Sequence, residues 1–202
     1  MLNYVFLDIG LKPLNERDDY LENIKHNSKL YPEYKIWNDK DVEELIDTHY
    51  SDIKERIYKM PKPYLCDLAR ALIMNIHGGI YCDMDVKINE KLPDRDFIHS
   101  LYTYPDTQKQ VLNNSLLKLP ADLYYPFILY CLDEFDRVSQ IKVYETWKYR
   151  KLLQTVGGRA LARFCKKNKL AIDFPFYDYC SEKNTYSILQ ASSNKPYKIY
   201  GC

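Results

Sequence analysis

The chain carries no surplus of positive charge: 29 Lys and Arg stand against 28 Asp and Glu across 202 residues. Charge therefore gives no indication of nucleic-acid binding. It also contains no run approaching eighteen apolar residues, so no transmembrane segment is expected. The opening stretch Met1 to Gly10 includes Asp8 and lacks the form of a signal peptide. Its six cysteines (66, 82, 131, 165, 180 and 202) include no C-x-x-C pair, which sets aside the common zinc and dithiol motifs and suits reduced thiols. Repeats, low-complexity tracts and obvious linkers are missing as well. What remains is a globular composition, 46% hydrophobic, of a length that fits a single domain over residues 1–202 with a substantial core.

Strands and helices alternate along the chain. Asn3 to Ile9 reads as a first buried strand, Leu14 to Asn27 as a helix and Tyr34 to Trp37 as a second strand. Asp39 to Tyr50 follows as a helix capped by Asn38 or Asp39, burying Val42, Leu45 and Ile46. Later candidates are a strand over Phe97 to Tyr102, helices over Leu123 to Val138, Val143 to Leu153 and Gly158 to Asn168, and a strand over Ala171 to Phe174. This alternation predicts an α/β fold around a mostly parallel central sheet.

The most informative stretch is residues 67–86. Leu65, Leu68, Ala69, Leu72, Ile73 and Ile76 recur with helical spacing, Pro63 suits the first turn, and Gly78 or Gly79 supplies the stop. Asp67 and Arg70, three residues apart, emerge on one face. Ile80 to Val86 then reads as a strand on which Tyr81, Asp83 and Asp85 share one side and Cys82 and Met84 the other. The helix falls roughly 12 Å from Arg70 to Gly78 at ~1.5 Å per residue. The strand climbs back roughly 13 Å from Gly79 to Asp83 at ~3.3 Å per residue. An antiparallel αβ connection thus brings Asp67 and Arg70 level with Asp83 and Asp85, at the carboxyl end of the strand where open α/β sheets bind ligands.

Carboxylate oxygens are hard ligands for Mg²⁺ or Mn²⁺, which in turn favour phosphate oxygens. Arg70 adds a planar cation for phosphate or a sugar hydroxyl, and Tyr81 a flat face for a base or ribose. Plainer readings stand beside these. Asp83 and Asp85 also fit a polar strand end, Asp67 with Arg70 a helix ion pair, and Trp37 a core ring as well as a nucleoside contact. Gly157-Gly158 fits a simple helix start as well as an anion contact through backbone amides.

The segment resembles the Asp-x-Asp region of glycosyltransferases with a GT-A fold, and is most similar to family 32, the group with a sugar-binding region containing the DXD motif. The shared pattern is an acidic residue, two residues, Arg, an apolar helix, Gly-Gly-Ile-Tyr, one residue and Asp-x-Asp. It appears here as Asp67, Arg70, Gly78, Gly79, Ile80, Tyr81, Asp83 and Asp85 with every interval kept. The resemblance implies a Rossmann-like nucleotide-diphospho-sugar transferase fold and a retaining, Mn²⁺- or Mg²⁺-dependent hexosyl transfer. The donor would be a nucleotide sugar (UDP-sugar ahead of GDP-sugar), and the acceptor a glycan or glycoprotein. It implies Asp85 as direct metal ligand, Asp83 on ribose or on the metal through water, and Asp67 on donor-sugar hydroxyls. Arg70 would meet sugar or diphosphate, and Tyr81 the nucleoside, with Trp37 and Gly79 as further donor contacts.

Weaker likeness runs upstream through Pro32 to Asp39 and downstream through Thr155 to Leu161, with Gly158 in place of the usual Pro. Near the C-terminus, Leu189 stands where the family commonly places a metal-binding His, leaving Ser193, Asn194 or water for that position. Many eukaryotic members are membrane-anchored, so this chain is expected to be a cytoplasmic enzyme of bacterial or viral type. Two alternatives stand beside this reading. Asp83-Met84-Asp85-Val86 loosely fits the nucleophile strand of haloacid-dehalogenase-like phosphatases, although Asp133 and Asp136 are wrongly spaced for the later acidic pair. A degenerate protein that binds a nucleotide sugar without transferring it is the other.

Overall fold

The computed structural model describes residues 1–10, 12–92, 94, 98–103, 110–140, 152, 154–168, 177–180 and 185–188. Its elements run β1 (Leu2–Val5), α1 (Asp18–Asn27), β2 (Tyr34–Trp37), α2 (Asp39–His49), α3 (Lys54–Tyr58), α4 (Lys62–His77), β3 (Ile80–Cys82) and β4 (Lys87–Ile88). β5 (Ile98–Thr103), β6 (Gln110–Lys118), α5 (Ala121–Ser139), α6 (Gly157–Lys167), β7 (Tyr177–Cys180) and β8 (Thr185–Ile188) follow. One eight-stranded sheet joins all the described strands in the order β2-β1-β3-β6-β5-β7-β8-β4. Four of its seven pairings are parallel: β1 with β2 and β3, β4 with β8, and β5 with β7. β6 enters antiparallel to both β3 and β5, and β7 runs antiparallel to β8. The result is the mixed α/β architecture expected, with more parallel than antiparallel pairing.

β1 is buried at all four positions, as a strand with a partner on each edge and helices on both faces should be. Two apolar clusters line the sheet. One packs α2, α4, α5 and α6 against Val5, Tyr81 and Leu117. The other holds Ile24 of α1 with Leu2, Tyr4, Cys82, Met84, Val86 and Ile88. Adjacent residues of β3 thus serve opposite faces, Tyr81 the first cluster and Cys82 the second.

Several expected boundaries move. The first strand stops at Val5 instead of Ile9, since beyond it Phe6 donates to the Trp37 carbonyl and Asp8 to the Asp39 carboxylate before Gly10 turns at φ 85°. The segment 14–27 splits at Arg17 into a 3-10 turn, Leu14–Glu16, and α1. Asn38 is the cap of α2: its side chain accepts from the Asp41 N–H at 3.0 Å, and Asp41 accepts in return from the Asn38 N–H at 3.1 Å. α4 buries Leu68, Ala69, Leu72 and Ile73 as expected, but also Tyr64, Ala71 and Met74, while Leu65 is only partly buried and Ile76 is exposed. It packs between α2 and α5 as well as on β1 and β3, so its apolar face is wider than one stripe. β6 and the β7–β8 pair were not expected. The helix expected over 143–153 lies outside the described residues except for Leu152, and the strand over 171–174 lies wholly outside them. No helix of the described residues is long and apolar enough to cross a membrane.

Candidate active site

α4 ends where Gly78, at φ 62°, donates its N–H to Met74 and releases the chain into β3. Gly79 follows at φ 87°, and a Cβ there would stand 2.6 Å from the Met1 carbonyl oxygen. That position lets β3 lie close against the start of β1, at the end of the strand remote from the carboxylates. Gly79 is thus required for close packing at this point.

The strand expected to continue to Val86 stops at Cys82. Asp83 still donates its backbone N–H to the Ser115 carbonyl of β6 at 2.7 Å, then accepts from the Val86 N–H at 3.1 Å, closing a turn over Asp83–Val86. Asp83 and Asp85 are consequently neighbours on a turn, not on one strand face. The sidedness survives, since Met84 and Val86 are buried with Cys82 while Asp83 and Asp85 remain partly exposed.

The level-matching of helix and strand is realised through Arg70. Its Nη2 lies 3.0 Å from Asp67 and 3.2 Å from Asp83, and its Nη1 donates to the Asn114 carbonyl at 3.2 Å. The guanidinium carbon sits 4.8 Å from the centre of the Tyr81 ring. Only 13% of the Arg70 side chain is exposed, against 23% for Asp67 and 24% for Asp83. Arg70 is thus an internal counter-charge joining helix to turn, with Nε its one buried nitrogen lacking a partner among the described residues.

Tyr81 packs against the same guanidinium. Its ring is 1% exposed, inside the core, and its hydroxyl donates to Asp83. The hydroxyl bond orients the Asp83 carboxylate. Trp37 is likewise a core ring at 3% exposure: Nε1 donates to Asn3 at 3.0 Å and Lys35 lies over its face.

Asp67 accepts from Asn114 Nδ2 at 3.2 Å. The start of α6 comes against the same carboxylate, where a Cβ on Gly157 (φ 71°) would stand 3.4 Å from Asp67 Oδ2. Sequence reading singled out Gly157 but not Asn114. The available signal was a pair of amides, Asn113-Asn114, within an otherwise apolar stretch. The turn has its own holders, also missed: Asn23, His26 and Asn27 of α1 all bond to backbone of residues 84–88.

Burial pushes the Asp83 carboxyl up to about 6, with Arg70 opposing and Asp85 reinforcing the shift. Burial also raises Asp85, although its own backbone and Arg70 partly offset this. Desolvation works against the Arg70 charge, but Asp83, Tyr81 and Asp67 together hold it fully cationic. Three carboxylates around one guanidinium leave the group at −2 when ionised. Among the described residues Asp85 makes no ion pair, unlike Asp67 and Asp83.

A divalent cation fits this donor set. Hard oxygens from one carboxylate without an ion pair and one paired with Arg70, in a net-negative site, match a cation such as Mg²⁺ that takes one or two carboxylates and completes its shell with phosphate and water. Among the described residues no group of three or more His, Cys, Asp or Glu could hold a metal; Asp83 and Asp85 are two carboxylates only. Leu189, Ser193 and Asn194 lie outside the described residues. Asp133 and Asp136 are both engaged by Arg56, at 2.8 Å each, on α5. They do not supply the acidic pair that phosphatase chemistry would need.

The described fold resembles a solved structure, "PaToxG Glycosyltransferase", with a TM-score of 0.53 at 13% identity, covering 85% of this chain and 69% of that one. No curated protein matches the sequence. The pattern of the glycosyltransferase sugar-binding region containing the DXD motif matches residues 14–119, which take in α1, α4, the carboxylate turn and Asn114. That match spans more than half of the chain, and displaces the phosphatase alternative. The chain belongs to the DXD-containing glycosyltransferase sugar-binding family and is a GT-A-like glycosyltransferase.

Proposed function

We propose that the enzyme transfers a hexose from a nucleotide-diphosphate sugar, UDP-linked ahead of GDP-linked, to a glycan or protein-linked glycan, with retention of anomeric configuration. Mn²⁺ or Mg²⁺ would be held by Asp85 directly and by Asp83 directly or through water. The observation that carries this reading is the carboxylate of Asp85, without an ion pair among the described residues, beside a neighbour anchored by Arg70 and Tyr81. When bound, such a cation supplies Lewis-acid neutralisation of the leaving diphosphate. The chain's own residues provide the frame. Arg70 keeps Asp83 and Asp67 from separating, and Tyr81 fixes the rotamer of Asp83 by its hydroxyl bond.

Asp67 has one oxygen occupied by Asn114, which leaves acceptor capacity for a donor-sugar hydroxyl. The start of α6 lies beside it, with Gly157 keeping that approach free of a side chain. Among the described residues Cys66, Cys82, Cys131 and Cys165 are free thiols, which supports residence in a reducing cytoplasm.

Incubation with Mn²⁺ and a panel of UDP- and GDP-sugars should release nucleotide diphosphate, and Asp85→Ala should abolish the release. Undiminished turnover in that variant overturns the reading. Donor binding by calorimetry without hydrolysis or transfer to any acceptor would favour the degenerate binding protein.

A further inference from the structure

The turn that carries Asp83 and Asp85 leaves the sheet after Cys82, and on its far side the ladder supplies little. β4 is two residues long and, among the described strands, pairs with β8 alone. What holds the segment is α1. Asn23 Nδ2 donates to the Met84 carbonyl at 3.1 Å, and Asn27 Nδ2 donates to the Val86 carbonyl at 2.9 Å. The Ile88 N–H donates to Asn27 Oδ1 at 2.8 Å, and His26 Nε2 pairs with the Ile88 carbonyl at 3.0 Å. Residues 23, 26 and 27 have the i, i+3, i+4 spacing of one helix face, so one face of α1 reads the backbone on both sides of Asp85.

Asn27 is fully buried, and its Nδ2 also lies 3.2 Å from the Tyr4 hydroxyl. Its amide therefore does for 86–88 what a neighbouring strand would do, fixing both an N–H and a C=O. Met84 and Val86 drop into the cluster that contains Ile24 of the same helix. Apolar anchoring sets the depth of the turn, and the amides set its register.

We propose that Asn27, seconded by Asn23, is the positioning residue that sets the Asp83–Asp85 turn for cation binding. Neither side chain touches the cation, and both act through the backbone that aims the carboxylates. The inference rests on the metal-dependent reading above. Groups that orient ligands from behind contribute about tenfold or more in metal affinity.

The test measures Mn²⁺ dissociation constants by the free-Mn²⁺ paramagnetic resonance signal on the full chain, with thermal melting in parallel. Wild type, Asn23→Ala, Asn27→Ala, Asn27→Asp and Asn3→Ala are compared. Asn27→Ala should weaken Mn²⁺ about tenfold and Asn23→Ala about threefold. Asn27→Asp, which keeps the acceptor for Ile88 but loses the donor to Val86, should fall between Asn27→Ala and wild type. Asn3 is equally buried, and its side chain bonds Trp37, Met74 and the Gly78 carbonyl but none of residues 83–88. Its removal should lower the melting temperature with Mn²⁺ affinity unchanged. If Asn27→Ala does not fold, the part-buried Asn23→Ala carries the test alone. Wild-type affinity in both α1 variants, or an equal loss in Asn3→Ala, overturns the inference while leaving the metal-dependent reading intact. Failure of the wild type itself to bind Mn²⁺ overturns both.

Discussion

Replacing Arg70 by Met removes the cation between two carboxylates while retaining most of the volume. At 3.0 and 3.2 Å, each attraction is worth about 5 kcal/mol gross at an effective dielectric near 20. Against this stand several kcal/mol of desolvation for the guanidinium. The unpaired buried Nε is a further cost of about 1–3 kcal/mol that the variant sheds. Losing one partner of such a cluster typically costs about 3–5 kcal/mol, so a net destabilisation of about 3 kcal/mol is expected at pH 8. The pH dependence is the sharper test. Asp83 sits at about 6 with Arg70 opposing its rise, and without that opposition its folded-state value climbs further. As pH falls from 8 toward 6 the variant's native state takes up a proton that the wild type does not. The deficit then shrinks by up to about 1.4 kcal/mol per pH unit. Below 6 both proteins titrate together and the gap stays constant. Urea denaturation at pH 8, 7 and 6, followed by tryptophan fluorescence, measures this. A deficit under 1 kcal/mol at pH 8, or one that does not move with pH, refutes the counter-charge role of Arg70.

Further expectations follow from individual contacts. Gly79→Ala places a methyl 2.6 Å from the Met1 carbonyl oxygen at φ 87°, whereas Gly10→Ala at φ 85° meets nothing within 4 Å. The latter should cost about 1–2 kcal/mol for the left-handed backbone alone, and the former distinctly more, read as a difference in melting temperature. Because raised carboxyls must lose protons to bind a cation, Mn²⁺ affinity should fall as pH drops through the Asp83 value of about 6, by about tenfold per unit for one carboxylate. A calorimetric titration giving equal affinity at pH 7 and 5 contradicts the assignment. Trp37→Phe should cost about 1–3 kcal/mol, since Asn3 loses a buried donor. The donor KM should stay unchanged, and a tenfold rise in KM would restore Trp37 to the nucleotide site.

The DXD segment was legible because its evidence is local. Helical spacing, the double glycine and the rise per residue of each element suffice to set Arg70 level with Asp83, and the 3.2 Å contact bears this out. Family membership followed from the same string of residues. Local periodicity could not say how far the strand ran, for Ile80 to Val86 alternates correctly whether or not a neighbour continues the ladder. The turn at Asp83–Val86 arises because Val86 closes on Asp83 and α1 offers Asn23 and Asn27 from sixty residues away in sequence. Asn114 was invisible for a similar reason, since antiparallel pairing of β6 with β3 is what places it beside Asp67.

The sequence alone thus determined the α/β class, the carboxylate pair and the transferase family, all carried by residue order within twenty positions. Tertiary structure decided which polar groups pair with each other. Arg70 and Tyr81 turned inward, because a cation bonded to two carboxylates and a hydroxyl bonded to Asp83 satisfy their charges and donors inside the protein. Asp85, by contrast, makes no ion pair among the described residues.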